Sequence, residues 1–96
     1  MVTVWSNQAK LQLQKAFNFI KENSLNNAEK VRDDIIDITI NLAHHPEIYS
    51  LDKYKTLNDG SYRAFEIHRY RISYRVTSEA IRIVRMRHTS RSPLNY

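Results

Sequence analysis

The spacing of apolar residues differs on the two sides of this chain's only glycine, Gly60. Between Ser6 and Pro46 the apolar positions recur every three or four residues, from Glu47 to Gly60 periodicity is lost, and beyond Gly60 they alternate. A chain that passes from helical to strand periodicity in this way builds segregated helical and sheet layers, so the expected class is α+β. Its 96 residues suffice for one domain and one core.

Val2 to Trp5 is a β-branched and aromatic run that reads as a first strand within residues 1–5. Ser6 caps a helix whose stripe is Ala9, Leu13, Ala16, Phe17 and Ile20, with Leu11 and Phe19 off the stripe. Asn26, with Glu29 three positions on, resembles a capping box and opens a second helix. Its stripe is Ala28, Val31, Ile35, Ile38 and Leu42, and Pro46 stops it after His44 and His45. Residues 6–45 thus form an antiparallel helix hairpin, and 46–60 a loop that packs over the core. Three strands follow within 61–88: Tyr62 to His68, Arg71 to Val76, and Ala80 to Met86. Their short connections make them an antiparallel meander, followed by a tail at 89–96. In the last strand Ile81 and Ile83 have one parity and Val84 and Met86 the other, which calls for either a bulge or a sheet apolar on both sides. The hairpin is expected to cover one face of the sheet, leaving the other lined with Arg.

The side chains that bear charge are divided as sharply as the periodicity. Residues 60–96 hold eight Arg against two Glu, a net of +6, while residues 1–59 carry a net of −1 and mostly Lys. Arg is the planar fork that recognises phosphate and carboxylate, so the second half is the working half. With no Cys there is no disulfide, thiol catalyst or Cys-ligated metal, and one Gly cannot build a phosphate-cradling loop. No apolar run approaches the ~20 residues of a membrane span, and the start lacks the basic region of a signal peptide. The expectation is a cytoplasmic protein with no membrane, metal or cofactor. His44 and His45 read as a basic helix end, and Asp33, Asp34 and Asp37 as a solvated helix face.

Three segments carry a resemblance: His45-Pro46-Glu47-Ile48 after the hairpin, Tyr70-Arg71-Ile72-Ser73-Tyr74-Arg75-Val76, and Ile83-Val84-Arg85-Met86-Arg87-His88. In this order and spacing they resemble the RelE/ParE superfamily of toxins from bacterial type II toxin–antitoxin modules. The resemblance implies a small toxin held inactive by a cognate antitoxin, with which it would form a hetero-oligomer. It also implies one of two activities: metal-independent cleavage of mRNA in the ribosome (RelE-like), or poisoning of DNA gyrase (ParE-like). For cleavage, the resemblance places Arg71 and Arg63 at the scissile phosphate and Tyr96 near the family's C-terminal Tyr. His88 is a candidate acid or base because its pKa can sit near neutrality. Phe65 stands where a second basic residue is the pattern. Ser90 stands where an Arg is, with Arg91 one position later. These departures, the long paired helices and the strand-end His88 favour the ParE-like branch, with the nuclease second and a non-toxic binding module of the same fold third.

A set for binding a target or nucleic acid is Arg69, Arg75, Arg82, Arg85, Arg87 and Arg91, interleaved with Tyr62, Tyr70 and Tyr74. The rival reading of the same charges is a basic groove for an acidic or amphipathic antitoxin segment.

Overall fold

Four strands and two helices form in the order β1 (Val2–Trp5), α1 (Asn7–Lys21), α2 (Leu25–Asn41), β2 (Tyr62–Ile67), β3 (Tyr70–Val76) and β4 (Ala80–His88). The computed structural model describes residues 1–92 and 94–96; Pro93, part of the expected 89–96 tail, lies outside them. The spatial order of the sheet is β1-β4-β3-β2. The meander β2-β3-β4 is antiparallel as expected, and β1 joins β4 in parallel, so the sheet is mixed.

Each helix begins at a serine. Ser6 Oγ accepts the amide of Ala9 at 3.0 Å, and Ser24 Oγ accepts that of Asn27 at 3.1 Å. The second cap is therefore Ser24, two residues before the expected Asn26, because a free hydroxyl three residues ahead of an amide satisfies it without a capping box. The helix also ends earlier than Pro46 implied. It closes at Asn41 with Leu42 as its C-cap, and His44 and His45 lie in the turns that follow.

The helix-covered face of the sheet is the core. Ile35 from α2 meets Ile72, Tyr74, Ile81 and Ile83 from the sheet, all of them fully buried. Each such side chain stabilises the fold by about 1.5–3 kcal/mol through apolar burial. The Tyr74 hydroxyl donates to the Pro46 carbonyl at 2.9 Å, which ties the loop after α2 to the core. The loop adds Tyr49, stacked on Phe65 with ring centres 5.0 Å apart.

The mixed parity of β4 is a bulge. Ser73 pairs with Arg85 while Tyr74 pairs with Ile83, so Val84 is the extra residue, and Met86 returns to the core side. β1 stops at Trp5, which would leave the far half of β4 with bare edge groups. Gln12 of α1 fills that need: its Oε1 accepts the Met86 amide at 2.6 Å, while the Ser6 hydroxyl donates to the Val84 carbonyl at 3.2 Å. No helix among the described residues is long and apolar enough to cross a membrane.

Candidate functional site

Strand register decides which Arg side chains meet. Arg71 pairs with Arg87, Ser73 with Arg85, and Arg75 with Arg82, so these five Arg share the face turned away from the helices. Arg63 pairs with Tyr74 and has the opposite parity. It lies on the helix side, where Nη1 donates to the Tyr49 carbonyl at 2.6 Å. Arg71 and Arg63 are thus separated by the sheet. Tyr70 and Tyr74 also belong to the core side, which leaves Tyr62 as the member of the tyrosine set on the Arg face. Arg69 sits in the β2–β3 turn and Arg91 on the tail, both exposed. His88 ends β4 with its ring edge-on to Tyr70 at 5.0 Å. Its Nδ1 accepts the Ser90 amide at 3.1 Å, so the serine found where the family has Arg orients this ring.

The organiser of the Arg face is a residue that periodicity did not reveal. Ser50 to Asp52 runs along the free edge of β2, with the Asp52 amide donating to the Tyr62 carbonyl, and this turns the Asp52 side chain under the sheet. Asp52 is 2% exposed. Its Oδ1 accepts Arg71 Nη2 at 2.9 Å and the Tyr54 amide at 3.1 Å; its Oδ2 accepts the Tyr96 hydroxyl at 2.6 Å. Burial raises the Asp52 carboxyl, but the bonds from Tyr96, Arg71 and Tyr54 outweigh it and hold the group below the usual carboxylate range. Burial and the same carboxylate push the Tyr96 phenol far up. Arg71 also gives Nη1 to Glu66 at 3.0 Å, and these two carboxylates raise its pKa against the effect of burial.

The tail is closed over this network by two backbone bonds, Tyr96 amide to Tyr54 carbonyl and Thr56 amide to Tyr96 carbonyl. The Lys55 ammonium lies between the rings of Tyr62 and Tyr96, at 4.8 and 5.5 Å, and the Arg85 guanidinium lies 3.8 Å above the Tyr96 ring. Beside the closed tail a cleft of about 60 Å³ remains, bordered by Arg71, Ser73, Arg85, Arg87, His88 and Arg91.

Of the four residues suggested for cleavage, the fold therefore joins Arg71 and Tyr96 through Asp52, sets His88 at the rim of the same cleft, and puts Arg63 behind the sheet. Asp52 left one trace in the sequence: it is a carboxylate inside an aperiodic but aromatic stretch, Tyr49 to Tyr54, and a packing loop of that kind is where a buried partner for Arg would come from. Among the described residues no group of three His or acidic side chains is placed to hold a metal.

Residues 3–93 match the family model described as the ParE toxin of type II toxin-antitoxin system, parDE. The chain belongs to the ParE toxin family. Two of the solved structures that share its architecture show the extent of the likeness. One, titled chromosomal ParDE TA system from P. aeruginosa, is 16% identical with a TM-score of 0.72 over 92% of this chain and 95% of that one. The other, a YoeB/ParE toxin from Agrobacterium tumefaciens, is 20% identical with a TM-score of 0.50 over 92% and 98%. No curated protein matches in sequence. Membership of the ParE toxin family thus rests on nearly the full length of the chain, and the structural likeness reproduces the strand, helix hairpin and meander order.

Proposed function

We propose that this chain is the toxin of a type II toxin–antitoxin pair, that it arrests growth by inhibiting DNA gyrase, and that a cognate antitoxin neutralises it. The observation that carries the choice of target is the commitment of Arg71 and Tyr96 to Asp52. Metal-independent RNA cleavage needs a free cation at the scissile phosphate and a group able to give up or take a proton. Here Arg71 is matched by two carboxylates, the Tyr96 proton is held by one of them, and the second phosphate candidate, Arg63, faces Tyr49 across the sheet. That arrangement supports the gyrase-directed activity of the ParE-like branch over the nuclease of the RelE-like branch. The antitoxin reading is supported by family membership and by the solved relative being a ParDE system.

Induced expression of the chain alone tests this. The expected outcome is growth arrest with filamentation and a DNA-damage response, and the purified chain is expected to block supercoiling by gyrase. Rapid loss of translation with mRNA cut at the ribosome would instead establish the nuclease. Normal growth at full expression would identify a binding module without toxicity.

A further inference from the structure

The loop between α2 and β2 presents one side chain that serves nothing inside the chain. Leu57 is 95% exposed, more than any other large apolar residue among those described. Its backbone also lies in the left-handed region, with φ of 52°, where the Cβ of a leucine crowds the following carbonyl. Asparagine and glycine enter that region with little strain, and both stand close by, at Asn58 and Gly60.

A strained backbone persists only where its surroundings over-determine it, and here they do so on both sides. Before Leu57, the Lys55 amide donates to the Asp52 carbonyl at 3.2 Å, and the Thr56 amide to the Tyr96 carbonyl at 2.6 Å. After it, Asn58 Oδ1 accepts the amides of Gly60 and Tyr62 at 2.9 and 3.2 Å, while Asn58 Nδ2 donates to the Tyr62 carbonyl at 2.9 Å. Asp59 Oδ1 accepts the Ser61 amide at 2.9 Å, and Ser61 Oγ accepts Arg75 Nε at 3.2 Å. The loop is thus pinned to β2, β3 and the tail, and the leucine between the pins extends into solvent.

Single exposed apolar residues are ordinary on a protein surface. A rigid and strained one is not. A leucine on a mobile loop gives up backbone freedom when a partner binds it, whereas Leu57 has none left to lose. Its surroundings are cationic as well. The Lys55 ammonium donates to the carbonyl of Thr56, next to Leu57, at 3.0 Å, and Arg75 reaches the loop through Ser61.

We propose that Leu57 is the anchor by which this toxin docks on gyrase, entering an apolar pocket with an acidic rim. The inference rests on the gyrase reading above and assigns it a contact residue. A fixed, protruding aliphatic side chain suits a folded partner whose pocket is already formed, rather than a chain segment or a phosphate backbone.

Leu57→Asn separates the anchor from the fold, because it relieves the backbone and removes the apolar side chain. By urea denaturation the variant is expected to be at least as stable as wild type. In a supercoiling assay with purified gyrase it is expected to require at least about tenfold more protein for half-inhibition. Leu57→Met keeps an apolar side chain of similar volume and is expected to inhibit within about threefold of wild type. Equal inhibition by Leu57→Asn and wild type would exclude the anchor and leave the gyrase reading intact. A Met variant as weak as the Asn variant, or an Asn variant less stable than wild type, would make Leu57 a structural residue and overturn the proposal. Full gyrase inhibition by Leu57→Asn with loss of neutralisation by the antitoxin would assign the loop to the antitoxin instead. Absence of gyrase inhibition by wild type itself would overturn the reading and the anchor together.

Discussion

On the helix side of the sheet, side chains from α2, β3 and β4 interlock without charge, and each would be missed roughly in proportion to the volume it fills. On the other side, one carboxylate, one guanidinium and one phenol are held in a chain of hydrogen bonds, with loop and tail stretched over them. The first surface gains from every methylene it hides. The second gains only while all of its members are present, because a buried charge deprived of its partner is costly. The difference predicts how each face fails, and it explains why the polar side carries the candidate site: there Arg71, Arg85, Arg87 and Arg91 gather around one cleft, and among the described residues Arg71 alone of them is ion-paired.

The largest effect is expected in the apolar layer. Tyr74 is fully buried and anchors the Pro46 carbonyl, so Tyr74→Ala is expected to cost about 4 kcal/mol by urea denaturation, through the cavity and the lost hydrogen bond. The acidity of the medium should not alter this loss between pH 7 and pH 3, since the Tyr74 phenol, pushed up to about 12 mainly by burial, stays protonated throughout.

Next comes the carboxylate. Asp52→Asn is expected to cost about 3 kcal/mol at pH 7, because Arg71 loses its buried counter-charge. Adding Arg71→Met to that variant should cost little more, since the two residues act as a unit. Here acidity does matter. The Asp52 pKa is lowered in the fold, so its contribution is complete above the unfolded carboxylate value near 4 and disappears as pH falls through the folded value below it. Denaturation curves of wild type and Asp52→Asn should therefore converge on acidification. Parallel curves, or an Asp52→Asn loss that persists unchanged in acid, would break the contrast between the faces. Tyr96→Phe removes one bond and keeps the ring under Arg85, and a loss of about 1 kcal/mol is expected from the same measurement.

How much of this could be read in advance follows the same division. The strands, the two helical stripes and the Arg-bearing face follow from periodicity, because an apolar layer imposes its spacing on the chain. The mixed parity of β4 leaves a bulge and a two-sided apolar sheet both open, and the strand pairing decides for a bulge at Val84. Asp52 does not, since a contact between a loop residue, a strand residue and the tail at position 96 has no spacing to impose. The separation of Arg63 from Arg71 was latent in strand parity: eight positions apart, the two have the same parity within the sequence, and only the two-residue turn between β2 and β3 sends them to opposite faces. The place of β1 beside β4 was equally hidden, because a parallel partner reached across both helices leaves no local signature.

That turn also gives the smallest expected effect, and a control that belongs to neither face. His68 and Arg69 both adopt positive φ, 53° and 67°, in a two-residue hairpin loop that favours Asn and Gly. His68 is retained there by its bond to Asp34 at 2.7 Å, which pins the hairpin to α2, whereas the exposed Arg69 side chain has no such anchor. Relief of the left-handed strain at Arg69 exceeds the extra freedom that glycine brings to the unfolded chain by a narrow margin. Arg69→Gly is therefore expected to stabilise the protein by about 0.5 kcal/mol. Because the turn sets the register of both faces without contributing to either layer, the gain should add independently to the losses from Tyr74→Ala and Asp52→Asn. Double variants that depart from additivity on the Asp52 side alone would mean that the hairpin turn helps to hold the polar network in place, and that its strain is part of how Arg71 is aimed.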